Sequence, residues 1–175
     1  EPIAREIIVS YYRFIDKYDA IYKANRPQAE VVLLFPRKAV HAGDLKPLEA
    51  FAAMGRKLLD EQVLFDVVPD LPGDRSLATR YAAVIRPGVE GQDALPDAVR
   101  PLLSKFKAPT TMRISANRPA AGGEIDLHFV NYNREELPPR NNGQPNPGKG
   151  AADEKPIAAP GVKVDFALPP NFEPS

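Results

Sequence analysis

The chain has 175 residues, 43% of them hydrophobic, which is enough for one domain, or one domain with an appendage, around a substantial core. It has 23 Lys and Arg and 23 Asp and Glu residues, so no net charge draws it to nucleic acid or to an anionic membrane surface. It has no cysteine, which excludes disulfides, thiolate metal ligands and a cysteine nucleophile. No apolar run approaches the roughly 18 residues of a membrane span. We therefore expect neither a nucleic-acid nor a membrane partner.

The first 25 residues have the pattern of a long amphipathic helix. Apolar residues recur at near-helical spacing from Ile3 to about Asn25, and Arg26 before Pro27 is predicted to end the helix. Four tyrosines lie within it, at positions 11, 12, 18 and 22. They could stack on a sugar, but at this spacing we interpret them as packing surface, part of which could face another region of a parent protein. Because the chain starts at Glu1 without a signal-peptide pattern, we expect a mature product or a piece of a longer chain.

Residues 31–35 (VVLLF) are predicted to form a strand buried on both faces, since they are apolar without alternation. A helix follows, with Asp44 in position to cap it and Gly55 on its apolar face. Further strands are predicted over residues 63–68 and 81–85, with a short helix between them. Such crossovers are right-handed with parallel strands. The predicted fold class is α/β: a flavodoxin-like three-layer parallel sheet of order 2-1-3, with the first strand in the middle.

The spacing of apolar residues changes in the second half of the chain. A third helix is predicted within residues 96–106 from the spacing of its apolar residues. From Thr110 onward the period is two, which predicts three antiparallel strands with one apolar face, the first two joined by a turn at Gly122 and Gly123. Residues 134–161 are rich in Pro, Gly and Asn and predict a long exposed loop. We expect three parts: a helix (1–27), an α/β domain (28–108) and a small antiparallel β layer (109–175).

Ligands of open α/β sheets bind beyond the carboxyl ends of the strands at the switch point, here between strands 31–35 and 81–85. The loops at that edge contain our candidate ligand-binding residues, Arg37, His41, Asp44 and Arg86. The cations could hold a carboxylate or a phosphate. The alternative is a solvated loop in which Asp44 only caps the helix.

No catalytic motif is present. A phosphate-binding loop needs clustered glycines, and only Gly43 follows the first strand. No serine has the glycine-flanked setting of a hydrolase nucleophile, and His41 and His128 lack metal-ligand spacing. We therefore assign no catalytic residue, no metal ligand and no cofactor, and expect that this chain alone is not an enzyme.

Several segments carry a resemblance to a known family. These are residues 29–36 (AEVVLLFP) with the following helix, 64–70 (LFDVVPD) and 81–87 (YAAVIRP). They resemble the class I glutamine-amidotransferase-like domain, called the trimerisation domain, that follows the catalytic barrel in β-galactosidases and related glycoside hydrolases. Residues 127–133 (LHFVNYN), with 162–169 (VKVDFALP), are similar to the small C-terminal β domain of such proteins. Together the resemblance covers most of residues 28–170.

The resemblance implies a non-catalytic accessory domain of a multidomain carbohydrate-active protein, whose partner is its own catalytic barrel or further copies of itself. Amidotransferases use a cysteine nucleophile, which this chain lacks, and the glycosidase carboxylates belong to the barrel. Asn131, Tyr132 and Asn133 match the small-domain motif, for which we expect a structural role in hydrogen bonding a strand end to a loop. Only the resemblance favours a periplasmic or extracellular location. The alternative is a small-ligand or carbohydrate-binding module, or a divergent enzyme, using the switch-point crevice.

Overall fold

The computed structural model describes residues 2–19, 23, 25–71, 76–119, 122–135, 137–144, 146, 155–170 and 172–173. Helices and strands are mixed along the chain, and a parallel sheet is combined with antiparallel ones, so the α/β class is confirmed. In chain order the elements are α1 (Pro2–Lys17), β1 (Asn25–Pro27), β2 (Val31–Phe35), α2 (Arg37–His41), α3 (Lys46–Asp60), β3 (Phe65–Pro69), α4 (Leu77–Arg80), β4 (Ala83–Ile85), a 3₁₀ turn (Arg100–Leu102), β5 (Lys105–Lys107), β6 (Met112–Pro119), β7 (Asp126–Asn131) and β8 (Lys163–Asp165).

β2 is the central strand of a three-stranded parallel sheet with the order β3-β2-β4. Val31, at its start, is paired with Phe65 on one side and with Ala83 on the other. Every residue of β2 except the last is buried. The prediction that residues 31–35 form a buried strand between two parallel neighbours is therefore confirmed.

The two faces of β2 are covered by different parts of the chain. Val31 and Leu33 belong to a hydrophobic cluster with Leu58 of α3. Val32 and Leu34 enter a second cluster, made with residues in and beside α4. Full burial of one such side chain is worth about 1.5–3 kcal/mol, so the alternation of β2 between two clusters accounts for its unbroken apolar sequence.

α3 begins beside Asp44, and Gly55 lies on the helix face that packs on the sheet, as the sequence predicts. The Asp44 carboxylate accepts a hydrogen bond from the Lys46 backbone N–H at 3.1 Å, which satisfies one of the amides left free at a helix N-terminus. Gly55 faces the sheet, since a Cβ added there would lie 3.6 Å from the Leu33 side chain. That distance is ordinary van der Waals contact, so the packing of α3 does not require glycine at this position.

The remaining strands form two small antiparallel sheets, of order β1-β6-β7 and β5-β8. β6 and β7 are paired from Met112 and Asn131 to Asn117 and Asp126. Gly122 lies between them with a φ of +76°, in the left-handed region that glycine tolerates best. The predicted pairing of these two strands through a glycine turn is confirmed.

The end of β7 is tied to a neighbouring loop by Asn131. Its side-chain amide donates to the Ile157 carbonyl at 2.8 Å, and its side-chain oxygen accepts from the Asn133 backbone N–H at 3.0 Å. The Ile157 N–H in turn donates to the Asn133 carbonyl. The structural role predicted for this motif is confirmed for Asn131.

The predicted extent of the first helix is wrong. α1 ends at Lys17, and Asn25–Pro27 is extended and paired with β6. The proline that was expected only to stop a helix also favours extended backbone at Arg26, which allows the segment to pair with β6. Tyr22 lies outside the described residues.

The predicted third helix within residues 96–106 is also wrong. That stretch contains only the 3₁₀ turn and then β5. Pro101 lies in the first turn, where it lacks an N–H and disfavours the α region for Arg100, so apolar spacing alone was not sufficient for an α-helix.

We predicted that the third period-two segment would join the first two in one antiparallel layer. This prediction is wrong. β8 pairs with β5 instead of with the hairpin, and β1 takes the outer position next to β6. The alternating pattern therefore identified strands correctly but not their partners. In the predicted loop 134–161, the described residues are mostly exposed, whereas residues 136, 145 and 147–154 lie outside the described part of the chain.

Two glycine substitutions test the packing of the parallel sheet. Gly55→Ala should raise the free energy of unfolding by about 0.5–1 kcal/mol, because alanine is the better helix former and its methyl group contacts Leu33 without a clash. Gly88→Ala should instead lower the free energy of unfolding by about 1 kcal/mol or more, because Gly88 has a φ of +78°. Urea denaturation of both variants provides the measurement, and a destabilised Gly55→Ala would contradict the described α3 packing.

Candidate functional site

A cleft of about 370 Å³ lies at the carboxyl edge of the parallel sheet, where the switch-point rule predicts a ligand site. Leu34 and Pro36 at the end of β2 form its floor, together with the first turn of α3 and the loop after β4. Its charged lining residues are Lys46, Asp70 and Arg86. A small polar ligand would meet both signs of charge here.

Arg86 and Asp70 satisfy each other within this cleft. Arg86 Nη1 lies 3.1 Å from Asp70 Oδ1, and each side chain is more than a third exposed. The Asp70 N–H donates to the Phe35 carbonyl at 2.9 Å, which places the carboxylate directly beyond β2. An exposed pair of this kind adds little stability. A ligand carboxylate or phosphate would compete with Asp70 for Arg86.

The other predicted ligand-binding residues do not line the cleft. Arg37 and His41 are the first and last residues of α2, and both are exposed. Asp44 is also exposed and holds the start of α3, which is the capping role we had set against a ligand role. Of the four candidates, the structure places Arg86 alone in the lining.

Sequence reasoning missed Asp70 and Lys46. Asp70 directly follows β3, so applying the carboxyl-edge rule to the second strand as well as to the first and third would have identified it. Lys46 has no comparable sequence signal, because charged residues are common in the first turns of helices.

A part-buried polar contact lies at the opposite, amino edge of the sheet. Glu30 Oε1 accepts hydrogen bonds from the Ser104 N–H at 2.8 Å and from the Ser104 hydroxyl at 2.5 Å. The Ser104 oxygen in turn accepts from the Ala167 N–H at 2.9 Å. Glu30 therefore connects the start of β2 to the segments before β5 and after β8. The sequence shows only a glutamate next to a strand, so the contact had no predictable signal.

The charged form of Glu30 is disfavoured by its surroundings. Its Oε2 is buried without a hydrogen-bond partner among the described residues. Burial raises the pKa of Glu30 above 4.5, and the two Ser104 hydrogen bonds offset this only in part. The carboxyl group at this position is thus more easily protonated in the folded chain than in the unfolded chain.

The third feature is the exposed surface of α1. Every side chain from Arg5 to Lys17 is exposed, although large apolar residues recur along the helix. Ile7 and Tyr11 are 63% and 65% exposed. Of the tyrosines interpreted as packing surface, Tyr11 and Tyr12 are exposed, whereas Tyr18 is half-buried and its ring lies 4.7 Å from that of Phe14.

Comparisons with known proteins leave the function to be argued from these residues. The chain matches no protein-family model, no curated protein and no solved structure. Among the helices that the structure describes, none has the length and apolar character needed to cross a membrane. Over the same residues, no three His, Asp or Glu side chains come together as a metal site would require.

Glu30→Gln should change how stability depends on pH. Because the Glu30 pKa is raised in the folded state, the folded chain gains this proton before the unfolded chain as pH falls. The wild type should therefore gain free energy of unfolding relative to Glu30→Gln as pH falls through the folded pKa towards 4.5, and this gain should be lost as pH rises above the folded pKa.

Urea denaturation across this pH range provides the measurement. Glu124→Gln, the same change at an exposed loop residue, is the matched control. A difference between wild type and Glu30→Gln that stays constant with pH would show that the buried carboxyl does not titrate as described.

Proposed function

We propose that this chain is a non-catalytic interaction domain that associates with a second copy of itself through α1, within a multidomain carbohydrate-active protein. The single observation that supports this most strongly is the exposure of α1 along its whole described length. The helix presents five large apolar side chains on one side, which we call the α1 stripe: Ile7, Ile8, Tyr11, Phe14 and Ile15.

An uncovered helix of this composition is energetically unfavourable. Most of the stability of a protein helix comes from packing of its apolar face and little from intrinsic propensity. α1 has 16 residues and no described residue in either core cluster. Exposed apolar patches of this kind mark protein–protein contacts in soluble proteins. Covering the α1 stripe would supply the packing energy that the rest of the described chain does not.

A second copy in antiparallel orientation can cover the α1 stripe. Centring such a pair on Tyr11 places Ile7 of one helix against Ile15 of the partner subunit. Self-association through the same patch on both chains is also the commonest geometry of homo-oligomers.

The wider context rests on the family resemblance. The central parallel strand, its two parallel neighbours and the helix between them are the arrangement that a flavodoxin-like, amidotransferase-like domain would have. The absence of cysteine supports a role without glutamine hydrolysis. In the β-galactosidase relatives that the sequence resembles, such a domain takes part in oligomers, and self-association of α1 would give this chain a comparable role.

The alternative function is a small-ligand or carbohydrate-binding module, or a divergent enzyme, at the carboxyl edge of the sheet. The observation in its favour is the 370 Å³ cleft with Arg86 in its wall. Asp70 already binds Arg86, which weakens this candidate. Saturable binding of a sugar acid that Arg86→Ala abolishes would favour the cleft over α1 as the functional surface.

Ile7→Asp should dissociate the proposed dimer. Burying an isoleucine is worth about 1.5–3 kcal/mol, and a two-fold contact loses two, so the dissociation constant should rise by at least about 100-fold. Sedimentation velocity over a range of protein concentrations measures it. The matched control is Val9→Asp, which places the same charge on the opposite side of the helix and should leave the dimer intact. Far-UV circular dichroism of both variants checks that α1 stays helical.

Sedimentation velocity of the wild type tests the proposal as a whole. A wild type that is monomeric at all concentrations would rule out self-association and leave another domain, such as the catalytic barrel of a parent protein, as the partner.

A further inference from the structure

Two arginines lie directly opposite each other on neighbouring strands. Arg26 of β1 is the cross-strand partner of Arg118 of β6. Side chains in such a pair share one face of the sheet, with Cβ atoms about 4.5–5.5 Å apart, and like charges there are destabilising. Within the described part of the chain, neither guanidinium forms an ion pair with a carboxylate. No described carboxylate therefore compensates the repulsion between them.

Both arginines line a pocket of about 450 Å³ at the amino edge of the parallel sheet. A third arginine, Arg80 at the end of α4, also lines it. The Arg80 guanidinium lies over the Tyr81 ring, 5.3 Å from its centroid, which limits the orientations that its side chain can take. Three cations from three separate elements thus meet in one cavity of a chain whose overall charge is zero.

The rest of the lining offers little negative charge. Glu30 is the one acidic residue among the lining residues, and its Oε1 is already bound to Ser104. Burial also raises the pKa of Glu30, which disfavours its charged form. The other walls include the apolar side chains of Leu102 and Leu168 and the prolines of the C-terminal segment. The pocket therefore combines a cationic side with an apolar side.

We propose that this pocket binds an anionic monosaccharide, a sugar that carries a carboxylate or a phosphate, with its anionic group held between Arg26 and Arg118. Guanidinium groups bind both kinds of oxyanion through paired hydrogen bonds, and an anion between the two arginines removes their repulsion. The cavity volume exceeds what one inorganic ion needs and is within the range of small-molecule sites. The carbon skeleton of the sugar would pack on the apolar wall. This site is separate from the α1 stripe and does not depend on self-association.

Calorimetric titration of the full chain with glucuronate, glucose 6-phosphate, inorganic phosphate and neutral glucose tests the proposal. We expect saturable binding of at least one of the two anionic sugars, weaker binding of phosphate and none of glucose. Arg118→Gln should weaken binding of the sugar at least tenfold. Arg56→Gln removes the same charge from an exposed position on α3 and is the matched control.

The melting temperature without ligand gives an independent readout. Arg118→Gln should raise it by about 1–3 °C, because the variant removes the repulsion with Arg26. The bound sugar should raise the melting temperature of the wild type and leave that of Arg118→Gln nearly unchanged.

Three results would overturn the proposal. The first is the absence of saturable binding by either anionic sugar. The second is equal weakening by Arg118→Gln and Arg56→Gln, which would indicate a general charge effect. The third is binding of inorganic phosphate as tight as that of the sugars, which would show that the sugar skeleton contributes nothing to binding.

Discussion

The structure depends on the burial of β2 on both faces. Because its side chains alternate between two hydrophobic clusters, the strand has to be paired on both edges and covered on both sides. That requirement places β3 and β4 beside it and α3 across one face. Polar residues lie at the two ends of the parallel strands. Asp70 and Arg86 lie at the carboxyl edge, and Glu30 and three arginines lie at the amino edge.

The parallel sheet could be predicted from the sequence because its signals are local. The unbroken apolar run at 31–35, Asp44 before a helix and Gly122 in a hairpin turn each act over a few residues. The partners of short strands could not be predicted in the same way. β1 and β8 are each three residues long. Each pairs with a strand about 60 to 90 residues away in the chain, so no local pattern identifies its partner. Prolines at 27 and 101 indicated interruptions but not the structure that follows.

The candidate sites show the same division between local and long-range information. The carboxyl-edge rule located a real cleft and one of its residues, Arg86. It failed for Arg37 and His41, because the segment after β2 forms the short helix α2, and both of its end residues are exposed outside the cleft. The pairing of Arg26 with Arg118 depends on the register of β1 and β6, so no inspection of the sequence alone could have placed the two charges together.

We propose that the chain combines a self-contained core with a helix that pairs with a second copy. Amide hydrogen exchange tests this contrast most directly when it is measured at low and at high protein concentration. If α1 pairs with a second copy, its amides should become more protected as concentration rises, while those of β2 stay equally protected throughout. Protection of α1 that is independent of concentration would contradict self-association as the role of this helix.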